Sequence, residues 1–148
     1  MKVKKSGLLK WMGLLELIVG ALNLANGLMS LFVLVKQGGD ILAKMQADLG
    51  VTFTMQELST SVLLTVIGGG VMLGAGLIAM MFNGIPDKEN LPLGMGVALL
   101  IYILVSDIVN VVMLKGTLNM TAIVPFLIHG LYLFGAFRNR QEIQNASV

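Results

Sequence analysis

A chain of 148 residues with 56% hydrophobic and only 12% charged side chains lies far from the roughly 25% charged residues of a soluble domain, and its mean hydropathy of +0.87 points to one domain in lipid. The net charge of +2 comes largely from Lys2, Lys4, Lys5 and Lys10 ahead of the first apolar run, a topology signal and not a nucleic-acid footprint. The absence of cysteine excludes disulfides, thiol catalysis, Cys-ligated zinc and iron–sulfur clusters.

The first apolar segment covers about residues 11–35, long enough to span a bilayer, which takes ~20 residues. Glu16, Gly20, Asn23, Gly27 and Ser30 recur at alternating spacings of four and three, so they share one narrow arc of a helix. Asn26 borders that arc, while Leu14, Leu15, Ile18, Leu22, Leu28 and Phe32 take the remainder. Hydrocarbon offers no partner to a carboxylate or an amide, so other helices must cover this seam. Glu16 and the absence of an early small-x-small cleavage site mark the segment as a retained span and not a signal peptide. The outer loop, 36–54, is expected to carry a short amphipathic helix capped by Asp40, with Ile41, Leu42, Met45 and Leu49 on one face and Gly50 as its stop. Such a helix suits the outer leaflet as a lid, a docking surface or a plain connector.

Thr54 followed by Glu57 matches a capping box, so the second span is placed at 55–83. Its glycines divide between two faces: Gly70 and Gly74 on one, Gly69 and Gly76 with Thr65 on nearly the opposite one. With Gly20 and Gly27 of the first span they read as close-packing positions, the alternative being a broken helix that lines a transport path. Asn83, Gly84 and Pro86 form a tight inner turn, and Pro92 suits the first turn of a third span at 91–114. Gly96, Ile103, Asp107 and Asn110 share a stripe there, and Gly116 closes the helix. A fourth span, 121–138, begins near Thr121, tolerates Pro125 early and carries His129; past Phe137 a frayed helical end is expected. Seven basic residues (Lys2, Lys4, Lys5, Lys10, Lys88, Arg138, Arg140) fall on one side of this arrangement and three (Lys36, Lys44, Lys115) on the other, which puts both termini in the cytoplasm and the protein in the cell membrane.

No motif of recognised catalytic spacing occurs. The candidate ligand- or ion-binding residues are Glu16, Asn23, Asn26, Asp107, Asn110 and His129. Counted from the span ends at ~1.5 Å per residue, Asp107, His129 and Asn26 lie about 10–13 Å below the outer edge, so Asp107 and His129 are expected to pair in one polar layer. Glu16, about 7 Å from the inner edge, is expected to meet Lys10 or Arg138, or to lean toward water. A central ionised side chain costs about 2.5–3.5 kcal/mol to insert, whereas an interhelical hydrogen bond returns about 0.6 on average, so stability alone is a poor reason for this layer. A lone histidine lacks the co-ligands of a metal or haem site, and no metal or cofactor is expected.

These features specify an all-α integral membrane protein, a single antiparallel bundle of four transmembrane helices with an interfacial helix in the first outer loop. The leading reading is a non-enzymatic protein that binds a small ligand or a partner membrane subunit, within a homo-oligomer or a larger membrane complex and without nucleic acid. The alternatives are an oligomeric proton-coupled transporter or channel element using Glu16 or Asp107 and, weaker, an intramembrane enzyme. In architecture, a four-span chain with a glutamate in its first helix resembles the small multidrug-resistance transporters; the long outer loop and the lack of any other shared motif separate it from them.

Overall fold

The computed structural model describes residues 5–49, 52, 54–114 and 123–146. Ser6 caps the first helix, α1 (Gly7–Leu49): its hydroxyl accepts from the Leu9 N–H at 3.3 Å and its carbonyl from the Lys10 N–H at 3.1 Å. α1 bends once, at Gln37 (φ −138°, ψ 20°), and then continues helically. The helical segment of the outer loop therefore exists but is joined to the first span, and Asp40 lies within the helix and does not cap a separate one. The break falls beside two consecutive glycines, where intrinsic helix preference is lowest, and Gly38 is buried against the Met55 side chain of the next helix. The side chains of Met45 and Leu49, and Gly50, lie outside the described residues.

α2 (Met55–Phe82) opens with the expected capping box: the Glu57 N–H donates to the Thr54 hydroxyl at 3.2 Å, and the Thr54 N–H to Glu57 Oε2 at 2.6 Å. Gly84, at φ 77°, turns the chain in the left-handed region open to glycine. α3 (Asn90–Val112) follows, and α4 (Ile123–Ala146) completes the order; Gly116 and Thr121 lie outside the described residues. α4 does not fray after Phe137. It continues regularly to Ala146 with Asn139 and Ile143 buried. α1, α2 and α3 are long and apolar enough to cross a membrane; in α4 the described apolar run stops at Phe137, before Arg138 and Arg140.

Each helix packs antiparallel against its chain neighbours, and α4 returns to α1. The buried positions advance by alternating threes and fours: Leu9, Gly13, Glu16 and Gly20 in α1; Gly69, Met72, Gly76 and Ala79 in α2; Pro92, Gly96, Leu99 and Ile103 in α3; His129, Tyr132, Ala136, Asn139 and Ile143 in α4. That 3.5-residue repeat belongs to left-handed bundles packed like coiled coils. The outside is apolar: Leu22 is 66% exposed, Phe32 60% and Val35 79%, a continuous surface that suits hydrocarbon and not water.

α1 and α2 approach most closely because glycines face glycines or backbone along their seam. A methyl group on Gly76 would come within 2.5 Å of the Leu17 nitrogen and 2.7 Å of the Gly13 carbonyl oxygen; one on Gly20 would strike the Leu73 backbone, one on Gly69 the Leu24 backbone, and one on Gly27 would reach Val66 at 2.8 Å. Gly70 departs from expectation: it is exposed, with nothing within 4 Å of a Cβ placed there. The second packed face of α2 is carried by Gly68, whose added Cβ would collide with the Tyr102 hydroxyl, and only loosely by Gly74, whose Cβ would lie 3.6 Å from the Met95 methyl. At one end Asn83 clasps Ser6, accepting from its N–H at 2.9 Å and donating to its carbonyl at 2.9 Å, and Asn139 accepts from the Gly84 N–H at 2.8 Å. This clasp ties α1, the α2–α3 turn and α4 together.

Gly76→Leu and Gly69→Leu should lower stability by at least about 1–3 kcal/mol, the usual cost of overpacking, while Gly70→Leu should be close to neutral. Thermal unfolding of the three variants in one detergent reads the difference; equal loss in all three would contradict the outward orientation of Gly70.

Candidate functional site

Glu16 sits in the buried stripe of α1 between Gly13 and Gly20, so the packing that joins α1 to α2 also turns its carboxyl into the bundle. On α4 the equivalent position is His129, one step along the stripe from Tyr132. The two side chains meet: His129 Nδ1 and Glu16 Oε1 share a hydrogen bond of 2.7 Å, with the residues 2% and 1% exposed. The pairing expected from the sequence, Asp107 with His129, is not formed, nor is that of Glu16 with Lys10 or Arg138. Lys10 is exposed, and Arg138 lies 3.6 Å from Glu142 one turn along its own helix.

Register explains the correction. Gly96 of α3 packs on Leu133 of α4, so in an antiparallel pair His129 lies opposite position 100, and Asp107 is about 10 Å further along. Counting inward from span ends places the two at one level because it assumes that the facing ends of α3 and α4 are level, whereas in the packed register Ile123, the first described residue of α4, lies opposite position 106. Asp107 and Asn110 instead line a separate cavity between α2 and α3. Asn26 joins neither group; it is exposed, because the stripe steps from Asn23 to Gly27 and leaves Asn26 outside.

Beside the pair lies a cavity of about 180 Å³, whose lining includes Leu15, Val19 and Asn23 of α1, Met72 of α2, and Pro125 and Ile128 of α4. Its walls are mostly apolar, and Leu15 and Val19 at its edge are each 36% exposed on the apolar outer surface. The Asn23 amide donates weakly to the Met72 sulfur at 3.6 Å. Above the pair, the Tyr132 hydroxyl donates to the Ala75 carbonyl at 2.8 Å, pinning α4 to α2 across the bundle. Tyr132 escaped the reading of polar candidates, although its spacing of three from His129 places it on the same face.

One polar atom of this site is unmatched. His129 Nε2 is buried and has no hydrogen-bond partner among the described residues. A buried pair is least costly when its net charge is zero. When the carboxyl hydrogen is the one shared with Nδ1, or when a carboxylate meets an imidazolium, the pair is neutral and a hydrogen stays on Nε2. The site therefore offers a donor with no acceptor, next to an apolar cavity. Comparisons of the chain with protein-family models, with curated proteins and with solved structures found no match.

Removing one member of a buried pair typically costs about 3–5 kcal/mol, because the survivor is stranded. Glu16→Leu and His129→Leu should each destabilise the bundle more than half as much as the double variant, with a coupling of about 1–3 kcal/mol in a double-mutant cycle read by thermal unfolding in detergent. Asp107→Asn combined with His129→Leu should be additive. Coupling in the second cycle and none in the first would restore the discarded pairing.

Proposed function

We propose that this chain is a small four-span membrane protein, non-enzymatic, whose α1–α4 cavity binds a lipid-soluble ligand that carries an acceptor oxygen. The observation that carries this reading is the unmatched Nε2 of His129 beside an apolar cavity. A void of about 150 Å³ is enough to hold a benzene ring, so a ring or branched hydrocarbon end with one carbonyl-type oxygen fits both the space and the donor. Entry from the bilayer, past Leu15 and Val19, follows from the position of the cavity edge on the apolar surface. A binding role is favoured over catalysis because the neighbouring hydroxyl, that of Tyr132, is directed to a backbone carbonyl and no nucleophile is hydrogen-bonded to the pair among the described residues.

The insertion proposed here crosses the bilayer with all four helices. α4 supplies its apolar stretch up to Phe137 and ends in the basic and polar residues that follow, on the same side as Lys5, Lys10 and Lys88. Both termini then face the cytoplasm of a cell membrane. In a cysteine-free chain this is directly testable: Asn145→Cys should be protected from an impermeant thiol reagent on intact cells, whereas Ala47→Cys, on the far side of α1, should be labelled. The reverse pattern inverts the topology.

For the ligand, solvent extracts of the purified protein should contain a defined carbonyl-bearing hydrophobic molecule in near-stoichiometric amount, identified by mass spectrometry. Val19→Trp, which fills the cavity edge, should lose it while keeping the fold. Identical extracts from the two proteins would overturn the reading, and a co-purifying membrane subunit in place of a small molecule would shift it toward partner binding.

A further inference from the structure

The second cavity has different chemistry. It lies between α2 and α3, away from the Ser6 end, measures about 170 Å³, and is lined by Ser61, Thr65, Tyr102, Ser106, Asp107 and Asn110 together with leucines. Two of its hydroxyls already direct their hydrogens to backbone: Tyr102 donates to the Leu64 carbonyl at 3.0 Å and Thr65 to the Ser61 carbonyl at 3.0 Å. Their oxygens keep acceptor capacity, that of Tyr102 shared with the Ser106 side chain, its hydrogen-bond partner. Gly68 fixes this arrangement, because any side chain there would collide with the Tyr102 hydroxyl. Asp107 is half-buried and, among the described residues, has neither a hydrogen-bond nor an ion-pair partner.

We propose that this cavity is a binding site for a small monovalent cation, held by the Asp107 carboxylate and the oxygens of Tyr102, Thr65 and Asn110. The Asp107 carboxylate, with no cationic side chain in the lining, disfavours an anion, and a single carboxylate matches a single positive charge. The lining contains no imidazole or thiol, so the oxygens select a hard cation over a transition metal. The space is several times the ~30 Å³ share of one water molecule, which admits an alkali ion with part of its water shell or the ammonium end of a small primary amine. Both present the same demand: one positive charge and several oxygen acceptors. The site is independent of the ligand proposed for the Glu16–His129 cavity, since it shares no lining residue with it and lies at another depth.

The test is thermal unfolding of the purified full-length chain in neutral detergent, titrated at constant ionic strength with sodium, potassium or methylammonium chloride against N-methyl-D-glucamine chloride, whose cation is too large for the cavity. A ligand that binds only the folded state raises the midpoint progressively with its concentration. The midpoint is expected to climb with at least one small cation and to stay level with the large one; the alkali and methylammonium arms tell the two sources apart. Asp107→Asn should flatten the response, Tyr102→Phe should weaken it severalfold, and Asn26→Ala, on the exposed side of α1, should leave it intact. Should Asp107→Asn not fold, retention of radioactive sodium by the wild-type chain, displaced by excess unlabelled small cation and reduced in Tyr102→Phe, reads the same claim. A midpoint that responds equally to all four salts, or a response that survives in folded Asp107→Asn, would overturn it.

Discussion

The backbone contact between α1 and α2 is the constraint on which the remaining structure depends. In hydrocarbon, where the proposed insertion would put these helices, no hydrophobic force draws them together, and association then rests on close packing and on the few polar contacts between them. Gly13, Gly20 and Gly27 on one helix and Gly69 and Gly76 on the other remove the side chains that would hold the two axes apart. Once the backbones touch, the pair cannot slide, since each glycine meets a particular neighbour: Gly20 meets Leu73, Gly76 meets Leu17, and Gly69 meets Leu24. The depth and direction of every other residue on α1 are then fixed, including those of Glu16.

The position of α4 follows from that. Its described apolar part is the shortest in the bundle, so contacts of another kind have to hold it in place. Among the described residues they include three, at successive levels: Asn139 with the Gly84 amide, Tyr132 with the Ala75 carbonyl, and His129 with Glu16. All three residues lie on the same stripe of α4, and Gly135 between them lets the helix approach Leu9, where an added Cβ would come to 2.9 Å of the backbone nitrogen. A polar stripe on a helix is thus both its anchor and the wall of the cavity beside it. The Glu16–His129 contact that helps to seat α4 also leaves the unmatched nitrogen that defines the candidate site.

Much of this was legible in the sequence where a local pattern fixes the outcome. The seam through Glu16, Gly20, Asn23 and Gly27 follows from spacing alone, the Thr54–Glu57 box from two side chains three residues apart, and the turn at Gly84 from the chemistry of glycine between two apolar runs. What failed needed a relation between helices. Depth counted from span ends carries the error of those ends, and helix limits are the least determinate feature of an apolar chain; here the Gly96–Leu133 contact sets a register between α3 and α4 that span ends do not reveal, and it exchanges the histidine's partner. Three consecutive glycines at 68–70 have no side chains to show which one faces inward, so Gly70 was given the role that Gly68 holds. Tyr132 was missed for another reason: an aromatic residue in an apolar segment looks like packing until its hydroxyl is followed to a carbonyl.

The placement of polar groups separates sites from scaffold. In a low-dielectric interior each donor or acceptor left alone costs free energy, so hydroxyls within apolar helices turn to the nearest carbonyl. Tyr102, Tyr132 and Thr65 all do so, and all three carbonyls belong to α2. The unmatched carboxylate and amide atoms of Glu89, Glu142 and Asn139 lie at the clasped end, level with the turn that carries Asp87 and Lys88, where the apolar stretches give way to charged residues. Among the described residues, Nε2 of His129 and the carboxylate of Asp107 are unmatched groups within the apolar length of the bundle. They differ in kind, a donor facing apolar walls and a carboxylate among acceptor oxygens, and they occupy different helix pairs at different depths. A bundle in which Tyr102, Tyr132 and Thr65 satisfy their hydroxyls internally gains nothing in stability from leaving these two unmatched beside cavities, and each calls for a molecule of the opposite character, an acceptor oxygen in the first cavity and a positive charge in the second.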